Sequence, residues 1–225
     1  MSLFIVADFD ETLIDQNSLF PVYRRLSRKP LLYHLLPSLL RGHWMKRGLR
    51  AAMKREIYQT MLRGLPAAEL EAIGYQIAPK LSFKQAVLDR IRQYGGQDLV
   101  IASAALTPVV EGVLQAKQLP YARVIATQAE IRNGVCTGRL LGGECFGPIK
   151  AQRVQQVRHR YYPEARMIAF GNWPDDRAML RHADEAYIVS GHRIRPYREE
   201  ESAWRKASFS SGLPTVTRKH PSNRG

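Results

Sequence analysis

A chain of 225 residues can bury one good-sized core, or a core domain with a small cap. Its 45% apolar content fits an ordinary globule, and two cysteines, Cys136 and Cys145, are too few for a disulfide framework. Reduced thiols in a reducing cytoplasm are therefore expected. The net charge of +14 is unevenly placed: Arg24, Arg25, Arg28, Lys29, Arg41, Lys46, Arg47, Arg50, Lys54 and Arg55 follow one another with no acid between Gln16 and Arg55. That stretch is either a solvated basic face or a surface that meets something anionic, such as a phospholipid headgroup or nucleic acid.

Leu3 to Ala7 is a continuous apolar run ended by Asp8, which predicts a central parallel strand buried on both faces. The run is too short, and too soon broken by Asp8 and Asp10, for a secretory leader. From Asn17 to about Gln93 apolar residues recur at helical spacing, as in Ile57, Met61 and Leu62, or Leu70, Ile73 and Ile77. Pro30, Gly42, Gly64, Pro66 and Pro79 divide this stretch into four or five short helices, so it reads as a helical insert. Its most apolar part, Leu31 to Leu40, is interrupted by His34, Pro37 and Ser38, and is far shorter than the roughly 20 residues that span a bilayer.

Asp98 to Ala102 predicts a second buried strand, with Ser103 directly after it. A helix is expected from about Pro108 to Lys117, and a third strand over Arg123–Ala126. The glycine-rich segment Gly134 to Gly147 predicts a hairpin or loop. A helix opened by Lys150 runs to Arg160. A fourth strand, Arg166–Phe170, ends at Gly171-Asn172. A short helix Asp175–Arg181 and a last strand Ala186–Val189 close the pattern. Such alternation predicts a Rossmann-like, doubly wound and mainly parallel α/β sheet core with a helical cap inserted after the first strand. The expected organisation is a core from residues 1–16 and 95–200, a cap over 17–94 and a basic tail over 201–225. That tail lacks an apolar period and is expected to stay disordered or to order only on docking.

In a doubly wound sheet, ligands sit at the carboxyl ends of the strands. The first strand ends in Asp8-Phe9-Asp10-Glu11-Thr12, the second in Ser103-Ala104, and the fourth in Gly171-Asn172 with Asp175 and Asp176 following. Two aspartates after a strand are by themselves ordinary turn formers, a lone Ser or Lys says little, and Asp175-Asp176 could simply cap a helix. Four such segments in order, each at a strand end or helix start, make one site.

Asp8-Phe9-Asp10-Glu11-Thr12-Leu13 resembles the first motif of the haloacid dehalogenase superfamily in its phosphatase form. Ser103 matches the second motif, Lys150 the third, and Gly171-Asn172-Trp173-Pro174-Asp175-Asp176 the fourth. The resemblance covers about residues 3–190. The place of the insert, and Thr137-Gly138-Arg139 through Lys150, are similar to the subfamily IB, phosphoserine-phosphatase-like branch.

That resemblance implies a Mg²⁺-dependent phosphohydrolase working through an aspartyl phosphate. Asp8 would be the nucleophile and Asp10 the proton donor and acceptor. Thr12, Ser103, Ala104 and Lys150 would grip the phosphate. Asp8, the Asp10 carbonyl, Asn172 and Asp176 would hold the metal, which offsets repulsion between two anions. The chemistry is demanding, because phosphate monoesters resist water strongly enough to need up to about 10²¹-fold acceleration. One departure stands out: the family's fourth motif usually begins Gly-Asp, and here it is Gly171-Asn172. An amide oxygen can ligate magnesium but brings no charge, so weaker metal binding is expected.

A small phosphomonoester such as phosphoserine is the expected substrate class. A lipid phosphate is the alternative, because Tyr23 to Leu40 looks similar to the cap of bacterial phosphatidylglycerophosphate phosphatases, with Tyr33 and Trp44 as candidate interfacial anchors. The protein would then be cytoplasmic with peripheral contact to an anionic membrane. The alternative from another class is a nucleic-acid-binding protein with a decayed site. It is disfavoured because no helix-turn-helix, zinc finger or aromatic RNA-binding motif accompanies the charge.

Overall fold

The computed structural model describes residues 2–27, 50, 53–54, 56–95 and 99–198. The expectations placed on Leu31–Leu40, Tyr33, Trp44, the 201–225 tail and six of the ten basic residues lie outside the described residues.

Seven strands form one sheet in the order β4-β3-β2-β1-β5-β6-β7. They are β1 (Leu3–Asp8), β2 (Leu99–Leu106), β3 (Arg123–Arg132), β4 (Val135–Leu141), β5 (Arg166–Gly171), β6 (Glu185–Ser190) and β7 (Arg193–Pro196). Strand β1 is central and pairs in parallel with β2 and β5, which pair in parallel with β3 and β6. The two outermost pairs, β3–β4 and β6–β7, are antiparallel. The described helices are α1 (Leu19–Leu26), α2 (Ala67–Ile77), α3 (Gln85–Arg92), α4 (Thr107–Ala116), α5 (Gly147–Tyr161) and α6 (Arg177–Arg181). None is long and apolar enough to cross a membrane.

The apolar run of β1 is explained by cover on both faces. Ile5 and Ala7 join one core cluster with Leu70, Ile73 and Val110, while Phe4 and Val6 join the other with Val154, Met167 and Leu180. Successive side chains of a strand point to opposite faces, so a strand covered on both sides must be apolar throughout. The fold is thus a mainly parallel α/β sheet with helices on both faces. Between β1 and β2 every described element is helical or a turn. Cys136 and Cys145 are both buried and unbridged.

Several boundaries differ from the sequence expectation. Strand β3 continues through Arg132, because the alternation of Thr127, Ala129 and Ile131 keeps feeding the sheet, and it turns back into β4 at Asn133-Gly134. Both turn residues have positive φ, 50° and 77°, as a tight two-residue hairpin requires. Strand β2 runs on to Leu106 through an irregularity after Ala102, so Ser103 lies inside the strand rather than after it. Lys150 does not open its helix; α5 begins at Gly147, which places Lys150 in the first turn. Strand β7 escaped the sequence reading because Arg193-Ile194-Arg195-Pro196 carries one aliphatic residue and a terminal proline, which suits an edge strand.

Helices α2 and α4 meet backbone to backbone. A Cβ on Gly112 would lie 2.4 Å from the Glu71 carbonyl, and one on Gly74 would lie 2.4 Å from the Val109 carbonyl. These glycines fasten the helical insert to the core helix beside β2. Gly112→Ala is expected to cost about 2 kcal/mol through overpacking against rigid backbone. Urea denaturation checks this, and an unchanged midpoint would count against the close crossing.

Candidate active site

Strand β1 delivers Asp8 as its last residue, in register with Ala102 of β2. Asp8 is 3% exposed, and three groups hold its carboxylate. Thr12 Oγ1 donates to Oδ2 at 2.7 Å, Lys150 Nζ donates to Oδ1 at 2.7 Å, and Asn172 Nδ2 lies 3.3 Å from Oδ2. Thr12 is fully buried beneath Asp8 and does not line the cavity above it.

The backbone leaves the strand in a wide turn over Phe9–Leu13. Asp10 is extended there, and Glu11 is left-handed at φ 61°. A non-glycine residue holds that conformation only when its surroundings fix it. Glu11 is fixed from three sides. Lys84 Nζ donates to its carbonyl at 2.7 Å, its N–H donates to the Gln16 carbonyl at 3.2 Å, and its carboxylate pairs with Arg50 at 2.7 Å. Lys84 is itself buried, and burial lowers its pKa below the usual lysine value. The turn brings Asp10 round to accept the Ser18 N–H at Oδ1, 2.7 Å. Burial and, less strongly, the charge of Asp8 push the Asp10 carboxyl up to about 6, against the pull of the Ser18 N–H.

Lys150 reaches up from the first turn of α5 and bridges two buried carboxylates, Asp8 and Asp176, each at 2.7 Å. Burial alone would lower its pKa, but Asp176 and Asp8 together outweigh that and hold it above the usual lysine range. Asp176 stands at the start of α6 without making a capping hydrogen bond. Its Oδ1 takes Lys150 and its Oδ2 accepts the Asn172 N–H at 2.9 Å, so each oxygen accepts one hydrogen bond. Burial and the neighbouring Asp8 push its carboxyl up. Gly171 makes room for this arrangement, since a Cβ there would sit 2.7 Å from the Asp176 side chain.

Ser103 is fully buried, and its Oγ accepts the Ala105 N–H at 3.0 Å. Ala104 and Ala105, not Ser103, line the cavity. The Ala104 carbonyl is tied back by Thr127 Oγ1 at 2.8 Å. The loop between β4 and α5 is clamped by Arg153, whose guanidinium donates to the carbonyls of Ala126, Leu141, Gly142 and Gly143.

The oxygens available to a hard cation can be identified. Asn172 Nδ2 donates to Asp8 Oδ2 and, at 3.2 Å, to the Asp10 carbonyl. Two oxygens therefore converge on the Asn172 Nδ2, and turning the amide over would present its oxygen to an ion as the third. Oxygen donors of this kind suit magnesium, so the residues fit the ion. Asp176 lines the same cavity, and each of its oxygens accepts one hydrogen bond and keeps a lone pair that an ion could use.

The sequence reading named Asp8, Asp10, Thr12, Ser103, Ala104, Lys150, Asn172 and Asp176. The structure gathers all of them at the carboxyl end of β1, β2 and β5. It adds Lys84, Glu11 and Ser18 around Asp10. It also adds Arg50, Lys54, Tyr58, Glu144 and Phe146 around a cavity of about 890 Å³ whose floor is Asp8, Asp10, Lys150, Asn172 and Asp176. Lys54 pairs with Glu144 across that cavity. Four cations of the basic stretch are described, and three have partners: Arg25 with Gln76, Arg50 with Glu11 and Lys54 with Glu144.

Comparison with known proteins agrees with this architecture. A phosphoserine phosphatase from Idiomarina loihiensis is 26% identical over 180 residues, covering 80% of this chain and 78% of the relative. A protein of unknown function from Bordetella pertussis superposes with a TM-score of 0.65 at 18% identity, covering 93% of this chain and 96% of that one. A haloacid dehalogenase family hydrolase from Salmonella enterica serovar Typhi superposes with a TM-score of 0.56 at 20% identity, covering 80% of this chain; the match spans only 60% of that hydrolase. The model of the haloacid dehalogenase-like hydrolases matches residues 5–181, most of the chain and all eight residues above, and the chain belongs to that family.

Proposed function

We propose that the protein is a phosphomonoesterase acting on small-molecule phosphomonoesters through an aspartyl phosphate on Asp8. The observation that carries this reading is the Asp8 carboxylate, buried at the sheet edge and held by Thr12, Lys150 and Asn172, with a second carboxyl two residues on that is pushed up to about 6. Asp8 attacks phosphorus as the ester P–O bond breaks, and Asp10 gives its proton to the departing oxygen. Water then attacks phosphorus, Asp10 takes the water's proton, and the bond from phosphorus to Asp8 breaks. Lys150 balances charge on Asp8 throughout. A magnesium ion held by Asp8, the Asp10 carbonyl, Asn172 and Asp176 would neutralise the phosphoryl oxygens. Ala104, which lines the cavity, would offer its backbone N–H to the phosphate, while the Ala105 N–H is given to Ser103 Oγ. Phosphoserine, the substrate in the relative's name, is the first natural ester to assay.

Hydrolysis of p-nitrophenyl phosphate tests the reading. Turnover should require Mg²⁺, vanish with EDTA and need more metal than a relative with aspartate in place of Asn172. Asn172→Asp should lower the half-saturating Mg²⁺ concentration about tenfold, since it supplies the missing charge. An absence of metal-dependent turnover would defeat the reading.

Asp10 gives a second, independent expectation. Its folded pKa of about 6 is above the ordinary 3.8, so the folded state binds this proton more tightly than the unfolded state. The metal-free protein should therefore lose stability as pH rises from about 4 through about 6. Asp10→Asn should remove that loss, raising Tm by a few degrees at pH 8 while abolishing turnover. A variant no more stable than the parent at pH 8 would contradict this.

A further inference from the structure

The cavity above Asp8 is larger and more apolar than a small, highly polar phosphomonoester needs. At about 890 Å³ it is near the upper end of the volumes that enclose drug-sized ligands. Apolar atoms make up the larger part of its wall, from Leu19, Val22, Ile57, Tyr58, Leu106 and Phe146. Val22, Ile57 and Leu106 are otherwise buried in the core, so the wall is part of the packed structure rather than loose surface. Polar groups are unevenly spread. The carboxylates and Lys150 lie on the floor, while Arg50, Lys54 and Arg139 also face the cavity. Two of these three cations are already matched, Arg50 by Glu11 and Lys54 by Glu144. An amino-acid head with its own ammonium and carboxylate would have to break one of those pairs or turn its carboxylate to Arg139.

Resting on the phosphatase reading above, we infer that the preferred substrates are amphiphilic phosphomonoesters, with a phosphate head on a linear alkyl or acyl chain. The head meets Asp8 and Lys150, and the chain lies against the wall formed by Val22, Ile57, Leu106 and Phe146. The cations draw the phosphate dianion in, and burial of the chain supplies the discrimination. This selectivity follows from the walls alone and requires no lipid surface.

The experiment is a series of monoalkyl phosphates from ethyl to octyl, assayed with Mg²⁺ as monomers in solution, beside phosphoserine and cytidine monophosphate. kcat/KM should rise roughly fourfold per added methylene over the first few carbons, the scale set by burying each CH₂. Octyl phosphate should exceed both phosphoserine and the nucleotide. Leu140→Trp, which narrows the wall, should lower the octyl-to-ethyl ratio at least fivefold. A flat or falling series, an unchanged ratio in the variant, or a better rate with phosphoserine or the nucleotide overturns the amphiphile assignment and leaves phosphatase activity standing. No turnover of any ester overturns both.

Discussion

Asp8→Asn is expected to reduce Mg²⁺-dependent hydrolysis of any phosphomonoester by about 10⁴-fold or more, the scale on which removing a covalent nucleophile acts. The substitution keeps the shape of the side chain. Thr12 can still bond to residue 8, and Lys150 keeps its other partner, Asp176, at 2.7 Å. The variant should therefore fold, with a circular dichroism spectrum like that of the parent. Loss of activity without loss of fold separates a chemical role from a structural one. Residual turnover within tenfold of the parent would mean that another group attacks phosphorus.

Lys150→Met is the second large effect, and here both stability and activity should fall. Lys150 is 3% exposed and lies between two buried carboxylates. Breaking a buried ion pair by removing one partner costs about 3–5 kcal/mol, because charge is left unpaired in a poor solvent. The deficit should depend on pH in a definite direction. Burial and Asp8 already push the Asp176 carboxyl above its ordinary value. Without Lys150 it must rise further, so the folded variant holds that proton more tightly than the unfolded chain. Such a group contributes stability at low pH that is lost as pH rises through the folded pKa. Lys150→Met should thus be only mildly unstable near pH 5 and severely so near pH 8. Thermal melts at both values check this, and an equal deficit would show that lost packing, not unpaired charge, is responsible.

The residues gathered at the candidate site were legible in the sequence because each follows a recognisable local pattern. Asp8 ends an apolar run, Asn172 ends another, and Lys150 sits in the first turn of a helix after a proline. Parallel strands carry such residues to one edge, so a linear order of motifs becomes a site. The residues that position them were not legible. Lys84 donates to the Glu11 carbonyl across 73 residues of chain, and Tyr58 reaches the Ala104 carbonyl across 46. No local period encodes such contacts. Ser18 acts through its backbone N–H, which every residue but proline possesses.

The edges of the sheet fell between these extremes. The glycines of Gly134 to Gly147 left a hairpin and a loop both open, and the hairpin formed, turning at Asn133-Gly134, while the length of its strands was not legible. The role of Asp176 is a matter of side-chain direction. Its place in the fourth motif suggested a metal ligand, and helix capping was the simpler reading. In the structure its carboxylate makes no capping bond; Lys150 and the Asn172 N–H each take one lone pair of its two oxygens, and it still lines the cavity beside Asp8.

The central claim is that phosphate is transferred to Asp8 before water receives it. Quenching the enzyme with acid during turnover of a reactive aryl phosphate, reducing with borohydride and mapping the peptides by mass spectrometry tests it directly. An aspartyl phosphate is converted to homoserine by this treatment. The account predicts homoserine at position 8, dependent on substrate and Mg²⁺. Modification at another residue, or none in a protein that turns over under the same conditions, would contradict it.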